Sequence, residues 1–128
     1  MVFLDDLYGM PFKIHGRGNG GFDCYGLVIE VERRIGRTMA DLYEEYTKEN
    51  YLERLDQNTK GFIQKMNLVK TDRPSFGDII VFLEKGKSVH VAVYLERDDF
   101  IHCDGRGVGI DNLRKYYRRD WEIYKWQD

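Results

Sequence analysis

Cys24 stands where a glycine-rich approach ends and an apolar-periodic run begins, in the stretch Gly21-Phe22-Asp23-Cys24-Tyr25-Gly26-Leu27. Upstream, Gly16, Gly18, Gly20 and Gly21 punctuate the chain as a flexible loop. Downstream, Leu27, Val28, Val31 and Ile35 recur at helical spacing, and Gly36 ends the run. The pattern predicts Cys24 in the first turn of a helix, where free N–H groups and the positive dipole end favour a thiolate over a thiol. A thiolate there is a nucleophile in waiting. A small buried core cysteine is the competing explanation, and this stretch alone does not separate the two.

A thiol nucleophile needs a base, and the base needs an orienting partner. His90 and His102 are the candidates, both in the strand-rich C-terminal half. A three-residue loop, Glu96-Arg97-Asp98, pairs Leu95 with Asp99. Continuing that ladder sets His102 opposite Ala92 and diagonal to His90, roughly 7 Å apart, within reach of two imidazoles. A one-residue slip would send His102 to the other face. The reading assigns His90 as general base towards Cys24, with His102 fixing its tautomer. Each histidine taken singly is a packed or solvated strand residue. The Val89, Val91, Val93 and Leu95 face is expected to pack away from the site. His15, just before the glycine loop, reads as a solvated loop residue. Cys103 alternates away from His102 and reads as a small core residue. A metal site from Cys24, His90, His102, Cys103 or Asp104 matches no usual paired-ligand spacing.

The elements that must position these residues follow from periodicity. Leu4, Leu7 and Tyr8 suggest one or two helical turns before Gly9 and Pro11. Residues 38–47 read as a second short helix, capped by Thr38, with Leu42, Tyr43 and Tyr46 on one face and Asp41, Glu44 and Glu45 towards water. Residues 49–66 carry a third helical pattern. No motif in this middle third reads as chemistry. After the turn signal around Pro74, strands are expected at Asp78–Leu83, Ser88–Leu95, Asp99–Cys103 and Trp121–Trp126. Gly105, Gly107 and Gly109 are expected in a loop, and 112–117 as a helical turn. The basic clusters Arg33, Arg34, Arg37 and Arg114, Lys115, Arg118, Arg119 read as solvated. Helices first and a strand meander after argue for an α+β fold in one domain, 1–128.

Composition bounds the rest. The chain has 128 residues with nine Tyr, seven Phe and two Trp, enough to bury a core. A net charge of −2 gives no support for nucleic-acid binding. No apolar run is long enough to span a membrane. Two cysteines make no disulfide framework, and the N-terminus lacks the features of a secretory signal, so both thiols are expected reduced in a cytosolic setting as synthesised.

Taken together these residues resemble a family. Phe-Asp-Cys-x-Gly-Leu opening a helix is similar to the nucleophile motif of the NlpC-type cell-wall cysteine peptidases. Pro74–Phe82 resembles the family's entry into its sheet, His90–Leu95 its catalytic-histidine segment, and Phe100-Ile101-His102 the segment of its third polar residue. Four motifs in order cover most of 9–126. The resemblance implies a papain-like α+β fold, with the nucleophile helix packed on a C-terminal antiparallel sheet. It implies hydrolysis of an amide in peptidoglycan stem peptides, usually between γ-D-glutamate and a diamino acid. It supports Cys24, His90 and His102 as the catalytic set, with the Cys24 N–H at the oxyanion and no cofactor or metal. Asp23, Tyr25, Phe12 and Ser88 would line the substrate cleft. Many members carry a tyrosine where this chain has Phe12. That hydroxyl's contribution is then lost or supplied elsewhere, with Tyr8 the candidate. Tyr25, where serine is common, resembles a bacteriophage tail-associated branch, which implies a virion location and phage tail proteins as partners. A structural tail component that keeps the fold without useful activity is the alternative.

Overall fold

Leu27, Val28 and Val31 lie on one stripe of the first helix, α1 (Cys24–Ile35), and all three are fully buried. The computed structural model describes residues 3–41, 46–116 and 120–127. Asp23 caps α1: its Oδ1 accepts the Gly26 N–H at 2.6 Å. Gly36 closes the helix in the left-handed conformation at φ 101°. The glycine-rich approach is packed rather than loose. Arg17 and Phe12 each bridge to Phe22, and a Cβ on Gly26 would run into the Gly16 carbonyl. Glycine at 26 is therefore what lets the approach loop lie against the first turn of α1.

The second helix, α2 (Tyr51–Lys65), buries Leu55, Thr59 and Phe62. Six strands follow: β1 (Val69–Lys70), β2 (Ile79–Glu84), β3 (Lys87–Tyr94), β4 (Asp99–Asp104), β5 (Gly107–Asn112) and β6 (Asp120–Lys125). They form one antiparallel sheet in the order β1-β6-β2-β3-β4-β5. The α+β expectation holds, with two refinements. The closing strand β6 returns to pair with β2 instead of extending the meander. The expected glycine loop is a strand: β5 pairs along the whole of β4, with His102 opposite Gly109. Glycine lowers strand propensity, but the tight Asp104–Gly107 hairpin and the neighbouring strand override it.

Both faces of the sheet are covered. One carries Val81, Val91, Val93, Ile101 and Cys103 against Cys24 and the buried stripe of α1. The other carries Ile80, Phe82, Ala92, Tyr94, Phe100 and Ile123, with Leu113 from the turn after β5 packed on them. The valine face expected to turn away from the site thus packs directly beneath the Cys24 helix. The helix expected over 38–47 is not present at 38–41 or 46–47. Leu42, Tyr43, Glu44, Glu45, Arg118 and Arg119 lie outside the described residues.

Candidate active site

The ladder between β3 and β4 pairs Val93 with Ile101 and Tyr94 with Phe100, and the Leu95 N–H donates to Asp99 at 2.8 Å. This is the register that places His102 diagonal to His90. The two imidazoles meet: His90 Nε2 lies 2.7 Å from His102 Nδ1. On the far side, His102 Nε2 lies 2.8 Å from Asp111 Oδ2. Asp111 sits on β5, two residues beyond Gly109, and so is diagonal to His102 on the same face. Phe82 flanks His90 at 5.6 Å between ring centroids, and Phe100 flanks His102 at 4.8 Å. These rings exclude water from the pair.

The chain of contacts orders the protons. A carboxylate only accepts, so His102 Nε2 carries the hydrogen towards Asp111. With that hydrogen on Nε2, His102 Nδ1 is the acceptor that faces His90 Nε2. That arrangement leaves the lone pair of His90 on Nδ1, the form a general base requires.

Cys24 enters from α1, opposite the strands. The backbone amides of Val91, next to His90, and of Tyr25 lie on its sulfur's side and favour the charged form. Phe22, two residues before Cys24, accepts at its carbonyl from Cys103 Sγ on β4 at 3.1 Å. The start of α1 is thereby fixed to β4, the strand that carries His102. Burial, with the Asp23 charge beside it, pushes the Cys24 thiol up to about 11. The helix end alone does not deliver the low value expected from its position, because the sulfur is almost wholly buried. Tyr51, whose Oη lies 3.3 Å from Sγ, and the two N–H groups pull the other way.

A cavity of about 180 Å³ opens beside Cys24, lined by Arg17, Asp23, Tyr25, Tyr46, Tyr51 and Asn58 among others. Asp23 is held there by Arg17 Nη1 at 2.8 Å and by the Tyr46 hydroxyl at 2.6 Å. Arg17 also pairs with Asp41, which is not simply turned to water. Tyr25 donates its hydroxyl to the Ala40 carbonyl. Phe12 and Ser88 do not line this cavity. Phe12 packs on the core beside Phe22, and Ser88 is buried between β3 and α2. Tyr8 is 43% exposed and lies elsewhere; the phenol at the sulfur is Tyr51. His15 is docked rather than solvated. Its Nε2 accepts the Tyr46 N–H at 2.9 Å, and its ring lies tilted at 39° against that of Tyr46, 3.7 Å between centroids.

Asp111, Tyr46 and Tyr51 were not singled out as site residues by the sequence. Asp111 was within reach: the diagonal rule that joined His90 to His102 joins His102 to Asp111 once β5 is recognised. For Tyr51 only its place at a helix start was legible.

A thiol on a helix N-terminus, set against a histidine-bearing antiparallel sheet, is the arrangement that a cysteine-type hydrolase requires. The model of the NlpC/P60 family matches residues 9–126, and the chain belongs to that family. The probable peptidoglycan endopeptidase LytE of Bacillus subtilis (strain 168) is 29% identical over 115 residues, covering 87% of this chain and 28% of that protein. The chain thus spans little more than a quarter of that curated relative. The fold is that of the NlpC/p60 domain of the peptidoglycan hydrolase SagA, with a TM-score of 0.63, 20% identity, and coverage of 93% of this chain and 90% of that one. An NLP/P60-family, lipoprotein-like protein from Staphylococcus aureus Mu50 superposes with a TM-score of 0.65 at 20% identity, over 96% of this chain and 39% of that one.

Proposed function

We propose that this chain hydrolyses an amide of peptidoglycan stem peptides, between γ-D-glutamate and the following diamino acid, with Cys24 as nucleophile, His90 as base and His102 as orienting residue. The observation that carries the reading is the His90–His102–Asp111 sequence of hydrogen bonds at 2.7 and 2.8 Å, which supports the basic tautomer of His90. LytE and SagA, both named for peptidoglycan cleavage, support the substrate class.

In this mechanism His90 Nδ1 takes the thiol proton and Sγ attacks the carbonyl carbon. The C–S bond forms as the carbonyl π pair moves onto oxygen. Collapse of that oxyanion breaks the C–N bond, and the imidazolium proton goes to the departing amine. Water, deprotonated by His90, then hydrolyses the thioester and restores the thiol. Pairing the sulfur's charge with the imidazolium offsets the burial that raises the isolated thiol.

The test is cleavage of stem tetrapeptides in diaminopimelate and lysine forms, read by mass spectrometry, with Cys24→Ala as control. A cut after γ-D-glutamate by the wild type only is the expected result. No cut in either form, with Cys24 still alkylated by iodoacetamide faster than Cys103, would replace the substrate. No cut and an inert Cys24 would replace enzymatic function by a structural role.

A further inference from the structure

Tyr51 is the first residue of α2, so two helix N-termini converge on one sulfur: α1 through Cys24 and α2 through Tyr51. Its Oη is 3.3 Å from Sγ, and its ring is held edge-on by Tyr46 at 5.0 Å. The Tyr46 hydroxyl is committed to Asp23 Oδ2. The Gly26 N–H is committed to Asp23 Oδ1. Phe12 has no hydroxyl to offer. Among the described residues, Tyr51 is the side chain that brings an O–H to the reacting atom. Burial first, then the nearby sulfur and Asp23, hold that hydroxyl well above the ordinary tyrosine range, so it stays protonated and able to donate.

We propose that Tyr51 is the side-chain oxyanion donor of this hydrolase, supplying from α2 the hydroxyl that Phe12 lacks. The proposal rests on the thiol chemistry argued above and adds one contact to it. Once Cys24 has lost its proton the sulfur can only accept, and the Tyr51 O–H at 3.3 Å is its donor. As Sγ bonds to the carbonyl carbon, the sulfur loses its charge and the carbonyl oxygen, one bond further on, gains it. The Tyr51 hydrogen bond transfers from sulfur to that oxygen. No proton leaves Tyr51, and the oxyanion's electron pair returns to re-form C=O when the C–N bond breaks. The Cys24 N–H, in the first turn of α1 where helical N–H groups lack carbonyl partners within the helix, is the second donor.

The experiment compares two reactions of Cys24 in the wild type and in Tyr51→Phe. Acylation by p-nitrophenyl acetate, read as the burst of p-nitrophenolate, passes through an oxyanion. Alkylation by iodoacetamide displaces iodide and forms none. Both rates scale with the thiolate fraction, so their ratio isolates the oxyanion. The ratio should fall about 100-fold in Tyr51→Phe, the usual effect of removing one such donor. Tyr51→3-fluorotyrosine, which keeps an O–H, should hold the wild-type ratio, and matched thermal melts establish that both variants are folded. An unchanged ratio in folded Tyr51→Phe would overturn the proposal, leaving Tyr51 to act on the thiolate alone. The assay needs no peptidoglycan. A Tyr51-dependent ratio in a protein that cuts no stem peptide would remove the substrate reading and keep the donor; stem-peptide cleavage with an unchanged ratio would do the reverse.

Discussion

Asp111 Oδ2 receives His102 Nε2 at 2.8 Å, and it does so from a strand that pairs with the His102 strand along its whole length. The same oxygen lies 3.3 Å from Arg106 Nη2, and the His102 side chain is almost completely buried. The carboxylate therefore holds the outer end of a three-residue relay whose inner end is His90. Because the three act in series, their removal should cost unequally. His90→Ala should lower kcat/KM on a cleaved stem peptide by about a thousandfold or more, as loss of Cys24 would, since base and nucleophile act as one unit. His102→Ala should cost less, on the order of a hundredfold, and Asp111→Ala about tenfold, since each acts only through its neighbour. A silent His102→Ala beside a mild His90→Ala would dismiss the relay.

Glu32 gives the protein a pH-dependent stability at the opposite end of α1. Its side chain is fully buried, with Arg37 Nη1 3.8 Å away. Burial, opposed by Arg37 and the Trp126 N–H and reinforced by Asp78, raises its carboxyl from 4.5 to about 8. The folded state then binds a proton that the unfolded chain releases between those values. The stabilisation is fully present below about pH 4.5 and is lost as pH rises through 8, a swing of roughly 4 to 5 kcal/mol at about 1.4 kcal/mol per tenfold. Urea unfolding of the wild type should therefore show a midpoint that drops between pH 5 and pH 9, and Glu32→Gln should flatten that part of the profile. Parallel profiles for the two proteins would mean the carboxyl titrates alike in both states.

Asp56 clamps the strand that carries His90. Its Oδ1 accepts the Ser88 N–H at 2.8 Å, and the Thr59 and Ser88 hydroxyls meet at 3.0 Å. Beyond Ser88 the β2–β3 register shifts between Phe82 and Leu83, leaving Val89 as the extra residue before His90. Asp56→Ala leaves the buried Ser88 N–H without its acceptor, which should cost about 1–3 kcal/mol of stability by urea titration. Turnover should fall several-fold with it, because His90 is two residues away. Asp56→Asn keeps an acceptor oxygen and should recover most of both. If stability falls and turnover at full occupancy of the folded state does not, the clamp supports the fold alone.

Local sequence was enough for α1 and for the histidine pair. The Leu27–Val31 stripe and Gly36 as stop are features within one helix, and they fix where Cys24 sits. The three-residue loop after Leu95 set the β3–β4 register, and a period of two then put His90 and His102 on one face. What lay beyond such rules was decided by tertiary packing. Gly107 and Gly109 joined β5 only because β4 was there to pair with them, and that pairing brought Asp111 to His102. The valine face turned towards α1 because that helix needed an apolar surface beneath Cys24. The sulfur's raised proton affinity follows from that same burial, which no helix-end argument contains. Tyr51 lies 27 residues from Cys24 in the chain. Its helix start was legible in the amino-acid pattern, but the direction in which that helix end points was settled by docking α2 on the sheet, through Asp56, Thr59 and Ser88.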